Sequence, residues 1–427
     1  MILVVNPAPL AGFFYLNEGF LFVLEGVVSP MSGNRVSMIV FLGSMSEKCR
    51  SMSGNLYSMG DSSQYLIIRQ SSERNYLLNY ETLFIFQNYK EFPKILRYNE
   101  IINYIRGDFM LKQEEMLTKI KESIGKVLVG KDEVTELVMV ALFSRGHVLL
   151  EDVPGTGKTM LTKSLAKSID GKFKRIQFTP DVLPSDVTGI QFFNPKDKVF
   201  EMRPGPVMTN ILLADEINRA TPRTQSSLLE VMEEGQVTID GETIPLPKPY
   251  IVIATQNPVE SQQGTFALPE AQMDRFLMQI KVGYPTLEQE YKMMKMYKKQ
   301  EPIDTLTSIV TLAEIEEMQK ELRNVEITEP VEKYILSLIR STRESTQIEV
   351  GVSPRGTIAL MHSVQSLAFL KGRTYAIPED VKFLAPYVLG HRLVLTLDTS
   401  MRRTKDEVMQ EVLASVEVPV EAGALKG

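Results

Sequence analysis

Three short apolar runs punctuate the middle of the chain: His147-Val148-Leu149-Leu150, Ile211-Leu212-Leu213-Ala214 and Tyr250-Ile251-Val252-Ile253-Ala254. Each is too short for a helix and lacks polar alternation, the pattern of a strand buried on both faces of a parallel sheet. Between them the period changes. Lys158 to Ile169 sets Leu161, Leu165 and Ile169 on one helical face. Upstream, Leu111–Lys126 and Lys131–Arg145 show apolar residues at three- and four-residue spacing, broken at Val129-Gly130-Lys131. Two stretches alternate around turn signals, Thr188–Met202 about Asn194-Pro195-Lys196-Asp197 and Gln236–Leu246 about Asp240-Gly241, and both predict hairpins. After Pro285 the chain turns helical, with helices expected over Leu287–Lys299, Leu312–Leu322, Pro330–Ser341, Gly356–Phe369 and Pro378–Leu389. The fold class is therefore α/β: a parallel sheet flanked by helices over 110–284, then a small all-α domain over 285–416 and a frayed tail over 417–427.

The first 109 residues differ. They hold 17 of the 34 aromatic residues but only 18 of the 100 charged ones, and their only lysines are Lys48, Lys90 and Lys94. No clean period runs through them, so the segment reads as irregular. Either it is a small domain of its own, or it is translated leader upstream of a start at Met110. Arg106-Gly107-Asp108 can be encoded by a purine-rich ribosome-binding sequence just before the Met110 codon, which favours the second reading. Mass spectrometry of the native N-terminus decides it; a native peptide spanning Leu96–Phe109 would exclude it.

Composition narrows the class without naming an activity. A chain with 44% hydrophobic and 23% charged residues is that of an ordinary globular protein. The net charge of −6 gives no bulk attraction to nucleic acid or anionic membrane. Cys49 is the single cysteine, which excludes an internal disulfide framework and fits the cytoplasm. Glu18 and Glu25 interrupt the apolar start, so neither a secretory signal nor a membrane span is expected.

The chemistry lies at the ends of the apolar runs. The first leads into Asp152-Val153-Pro154-Gly155-Thr156-Gly157-Lys158-Thr159 and then a helix, the context of a phosphate-binding loop. Gly155 and Gly157 let backbone N–H groups point at phosphates, and Pro154 and Thr156 complete the turn. Lys158 is expected to reach the β- and γ-phosphates of ATP, and Thr159 to hold magnesium. Asp152 stands where the strict pattern has glycine, so its carboxylate is expected to point away. The second run ends in Asp215-Glu216, with Asp215 expected to hold magnesium through water and Glu216 to orient and polarise the attacking water. The third ends at Asn257, placed to bond the γ-phosphate and that water together.

These motifs resemble the AAA+ ATPases. Asp215-Glu216-Ile217-Asn218-Arg219-Ala220, Leu229-Glu230-Val231-Met232-Glu233-Glu234, Ala254-Thr255-Gln256-Asn257-Pro258 and Leu268-Pro269-Glu270-Ala271-Gln272-Met273-Asp274-Arg275-Phe276 resemble the MoxR family in particular, over roughly Leu111 to Pro419. The resemblance implies a ring, usually a hexamer, with ATP at each subunit boundary. It implies that Arg275 is the arginine finger for the neighbour's γ-phosphate. Arg355, in Ser353-Pro354-Arg355-Gly356, would touch the γ-phosphate of its own subunit. Arg219 and Arg223 are candidates for a second interface cation, and His391-Arg392 resembles a lid feature. The two hairpins resemble the family's inserts, facing the pore or a client, or simply packing. The implied role is chaperone-like: ATP hydrolysis that remodels or activates partner proteins, typically ones carrying von Willebrand factor A domains. Three rivals compete. A nucleic-acid motor would bind an oligonucleotide in an ATP- and salt-dependent way. A metal-chelatase ATPase subunit would have a chelatase-type partner gene nearby. A binding-only scaffold would hold ATP without turnover, which intact Glu216, Asn257 and Arg275 argue against.

Overall fold

The computed structural model describes residues 113–151, 155–257, 265–298 and 302–419, together with the backbones of seven short strands before residue 110. The chain divides into two compact units, Met1–Phe109 and Met110–Gly427. In the first unit β1 (Ala11–Leu16), β2 (Gly19–Val27) and β3 (Arg35–Leu42) form an antiparallel meander. Two further antiparallel pairs join β4 (Cys49–Ser51) to β5 (Tyr57–Met59) and β6 (Tyr65–Leu66) to β7 (Ile85–Phe86). The side chains of this unit, and the segment Arg106–Met110, lie outside the described residues.

The second unit is built on a five-stranded parallel sheet. Its strands are β8 (Val148–Glu151), β9 (Phe173–Gln177), β12 (Ile211–Asp215), β15 (Ile251–Gln256) and β16 (Met278–Lys281), in the order β16-β8-β15-β12-β9. The three apolar runs became the three central strands, and their side chains are buried on both faces. Strand β9 carries charges and is mostly exposed because it lies at the edge. Helices cover the sheet: α1 (113–125), α2 (Asp132–Phe143), α3 (Lys158–Ser168), α4 (Pro184–Thr188) and α5 (Pro222–Glu234). Asp132 and Glu133 sit in the first turn of α2, where the helix dipole favours them. A core of Phe178, Val187, Leu212, Leu228, Leu229, Val252 and Phe276 fills the space between sheet and helices.

Both expected hairpins are present. β10 (Gly189–Asn194) pairs with β11 (Val199–Pro204). β13 (Gln236–Ile239) pairs with β14 (Glu242–Pro245), and the left-handed Asp240 and Gly241 make its turn.

The helical part begins after a one-turn helix, α6 (Glu270–Met273). It comprises α7 (Leu287–Tyr297), α8 (Leu312–Glu321), α9 (Glu329–Glu344), α10 (Pro354–Leu370), α11 (Pro378–Leu389), α12 (Leu397–Ser400) and α13 (Lys405–Ser415). A short pair, β17 (Ile348–Val350) with β18 (Val394–Leu395), ties α9 to the end of α11. Capping boxes at Thr286, Thr311 and Thr404 start three of these helices, each threonine accepting from the backbone N–H three residues on. The helical part packs onto the sheet domain through α2, where the Phe143 and Phe369 rings lie 6.3 Å apart and Ser144 Oγ meets Ser366 Oγ at 2.7 Å.

Candidate active site

The carboxyl ends of three adjacent parallel strands make the site. β8 leads into the phosphate loop, β15 into Asn257, and β12 into Asp215-Glu216. Strands are about 4.8 Å apart. The loop and the two carboxylates therefore flank Asn257 at a separation of about 10 Å, room for a phosphate group between them. Ligands of open α/β sheets bind at this edge.

Asp152, Val153 and Pro154 lie outside the described residues. The rest of the loop is built as its glycines require. Gly155 and Gly157 have φ of +87° and +92°, in the region that penalises any Cβ. A Cβ at Gly157 would also stand 2.7 Å from Leu128 Cδ2. Gly157 caps α3 without a side-chain hydrogen bond to its first N–H groups. A helix opened in this way presents those N–H groups and its positive end to an anion. Lys158 and Thr159 open α3 directly after it.

Asp215 and Glu216 are held by neighbours of which only Arg219 was a candidate from the sequence. Thr255 Oγ donates to Asp215 Oδ1 at 2.6 Å and accepts from the Glu216 N–H at 2.9 Å. Arg175 Nη2 reaches Asp215 Oδ2 at 2.6 Å. Gln177 Nε2 donates to Glu216 Oε2 at 2.8 Å, and Arg219 Nη1 pairs with the same oxygen at 2.9 Å. Arg175 and Gln177 are two apart on β9, hence on one face of it. That spacing was the only available signal, and it means nothing until β9 is known to lie beside β12. Arg219 thus sits on its own chain's Glu216, while Arg223 is exposed in the first turn of α5. Asn257 is buried at the tip of β15.

Magnesium takes hard oxygen donors and keeps several waters. The Thr159 hydroxyl and the Asp215 carboxylate, on the two sides of the cleft, fit that chemistry. Among the described residues no cluster of three or more His, Cys, Asp or Glu could hold a metal by itself. A metal here would therefore share its shell with phosphate oxygens and water.

The two remaining arginines lie elsewhere. Arg275 precedes β16 by three residues, and the Leu277 N–H donates to His147 O, just before β8. Arg275 is thus at the amino ends of the parallel strands, opposite the phosphate loop. Its Nε pairs with Glu233 Oε2 at 2.9 Å, and Arg355 Nη2 pairs with Oε1 of the same carboxylate at 3.2 Å. The expectation that Arg355 touches its own subunit's γ-phosphate does not match this position. Its motif carries a residue type, but not the end of the sheet to which the lid delivers it.

His391 and Arg392 are buried against the segment carrying Arg275. His391 Nε2 meets Phe276 O at 3.2 Å; burial first, then the adjacent Arg392 charge, drives its pKa well below the ordinary value. The imidazole is therefore neutral, with the Nε2 proton donated to the carbonyl.

Comparison with known proteins gives the family. Residues 147–278 match the family described as ATPase family associated with various cellular activities (AAA), and residues 340–412 match the AAA lid domain. The Bacillus subtilis uncharacterised protein YeaC is 48% identical over 321 residues, covering 74% of this chain and 100% of its own length. Chaperone MoxR1 of Mycobacterium tuberculosis is 40% identical over 69% of this chain and 80% of its own. A crystal structure of a Cytophaga hutchinsonii protein to which ATPase activity is ascribed superposes with a TM-score of 0.70 at 37% identity, covering 75% of this chain and 99% of that one.

Proposed function

Because the chain belongs to the MoxR family of AAA+ ATPases, we propose that it spends ATP hydrolysis on remodelling or activating partner proteins. The nucleotide binds in the cleft above β8, β15 and β12. Gly155, Thr156 and Gly157 wrap the phosphates with backbone N–H groups, and Lys158 neutralises the β- and γ-phosphates. Thr159 and Asp215 would hold magnesium, whose charge offsets that of the phosphate oxygens. Glu216 orients and polarises the attacking water, and Asn257 bonds water and γ-phosphate together.

The observation that carries the reading further is the position of Arg275 and Arg355. A cation at the amino ends of the strands cannot reach a nucleotide at their carboxyl ends in the same chain. Two such cations on one carboxylate, Glu233, instead form a surface that a neighbouring subunit's cleft can meet. The chain accordingly works as a ring, a hexamer by family resemblance. Both arginines serve the neighbour's γ-phosphate, where a guanidinium stabilises charge on the transferring group. The partners are cytoplasmic proteins, those with von Willebrand factor A domains first among them. The lid over 285–416 transmits the nucleotide state to them.

The reading is tested by Arg275→Ala. It should bind a fluorescent ATP analogue as the parent does and lose turnover by about 10³-fold, the scale of a missing arginine finger. Unchanged turnover would exclude the composite site. For the client, Glu216→Gln is used as a trap in the native host. ATP-dependent retention of a folded partner protein supports the reading; retention of nucleic acid in its place overturns it.

A further inference from the structure

We propose that Arg392, in the lid, is the positioning residue that aims Arg275 at the neighbouring subunit's nucleotide. The proposal rests on the reading of Arg275 given above.

An arginine has five N–H donors in a rigid fork. Arg392 uses each of them. Nε donates to Asp274 Oδ1 at 2.6 Å. Nη1 donates to Leu277 O at 3.1 Å and to Val388 O. Nη2 donates to Asp274 O at 3.2 Å and to Phe276 O at 2.7 Å. Four of the five acceptors belong to residues 274–277, the segment that carries Arg275. Ser353, the N-cap of α10, adds a bond from its Oγ to the other carboxylate oxygen of Asp274 at 3.3 Å. Phe276 is fully buried in the sheet core. Arg275 therefore projects from a backbone fixed on both sides, and its own guanidinium rests on Glu233 beside Arg355.

The packing around Arg392 is built to admit it. Its stem crosses α10 at Gly356, where a Cβ would lie 3.0 Å from Arg392 Cδ and 2.4 Å from Val352 Cγ1. Its side chain is 3% exposed. Burying a cation is a poor way to glue two domains, since packed apolar residues serve as well or better. A fork that puts four of its five donors on one four-residue segment is suited to fixing geometry. Geometry is what a transition-state cation needs: a misplacement of about 1 Å can cost about 10²-fold in rate.

The test uses Arg392→Gln and Arg392→Lys in the full chain. Four readouts are taken: assembly by size-exclusion chromatography, affinity for a fluorescent ATP analogue, KM and kcat separately, and turnover after mixing with Glu216→Gln. Both variants should assemble and bind nucleotide within about twofold of the parent. Arg392→Gln should lose about tenfold or more in kcat with KM unchanged, and Arg392→Lys, which keeps the charge but not the fork, somewhat less. Mixing either with Glu216→Gln should restore turnover, because that neighbour brings an intact Arg275 to a variant whose own loop and Glu216 are intact. An unchanged kcat overturns the proposal. So does a fall in nucleotide affinity without recovery on mixing, or the failure of both variants to assemble, since either makes Arg392 a structural staple. The control is Arg275→Ala mixed with Glu216→Gln. If the control recovers and the Arg392 variants do not, only this proposal fails; if the control does not recover, the reading of Arg275 fails beneath it.

Discussion

Glu216 adopts φ +57° and ψ +49°, left-handed backbone that costs a residue with a Cβ of order 1–3 kcal/mol. Thr255, which takes the Glu216 N–H, and the donors Gln177 and Arg219 on its carboxylate hold it there. Glutamine has the same shape and the same backbone cost, so Glu216→Gln should fold and bind ATP normally. Its turnover should fall by about 10²-fold, measured as phosphate release, because an amide cannot take the water's proton. The carboxylates and the phosphate loop were legible in the sequence because their residue types are adjacent along the chain. Thr255, Arg175 and Gln177 were not, because their roles exist only once β9, β12 and β15 lie side by side. His147 is a second such case. Buried between β15 and α5, it accepts from the Val252 N–H at Nδ1 and donates from Nε2 to Met232 O, both at 3.0 Å. Burial pulls its pKa from 6.5 down to about 4. The unfolded chain therefore binds the proton that the folded one refuses between those values. The stability contributed by neutral His147 is present above pH 6.5 and is lost as pH falls toward 4. The slope from one such proton is about 1.4 kcal/mol per pH unit. Denaturant midpoints between pH 7.5 and 4.5 should show this loss, and His147→Gln should flatten it.

At the scale of elements, periodicity and caps carried most of the fold. The central strands, α3, α11 and both hairpins lie where runs, turns and prolines predicted them. The sequence reading missed α4, α12 and the β17–β18 pair, which are five residues or fewer per element, too short for any period to register. It also missed α13, whose capping box at Thr404 was a readable signal. The β10–β11 hairpin shows what a turn signal leaves out. Its tip was visible in Asn194–Asp197, but its root depends on two glycines facing each other. A Cβ on Gly205 would lie 2.3 Å from Val187 O and 2.6 Å from the Gly189 N, which are backbone atoms and cannot swing aside. Gly205→Ala should therefore splay the hairpin from the sheet, at a cost of about 1–3 kcal/mol for overpacking. Phe193 and Phe200, with rings 5.3 Å apart at the exposed end, provide the readout. Chymotrypsin should cut the variant there faster than the parent, and equal rates would mean that the root tolerates the methyl group.

For the whole molecule, the decisive fact is which groups lie at opposite ends of one sheet. Sequence motifs named the phosphate loop, Asn257, Arg275 and Arg355 without saying that the first two face one way and the last two the other. That follows from parallel strand order and from a lid that returns α10 and Arg392 to the start of β16, where Arg392 meets Asp274, 118 positions away in the chain. On the proposed arrangement no chain completes its own site, so turnover per chain must depend on how many chains are present. Diluting the protein below its assembly concentration should lower ATP hydrolysis per chain, in step with the loss of the large species in size-exclusion chromatography. Adding excess Glu216→Gln chains to the dilute parent should then raise the parent's turnover, because the added chains hydrolyse little themselves but supply Arg275 and Arg355. An isolated chain that hydrolyses ATP at the full rate, with no gain from added neighbours, would mean that the two ends of the sheet act independently and that the shared Glu233 holds only a surface ion pair.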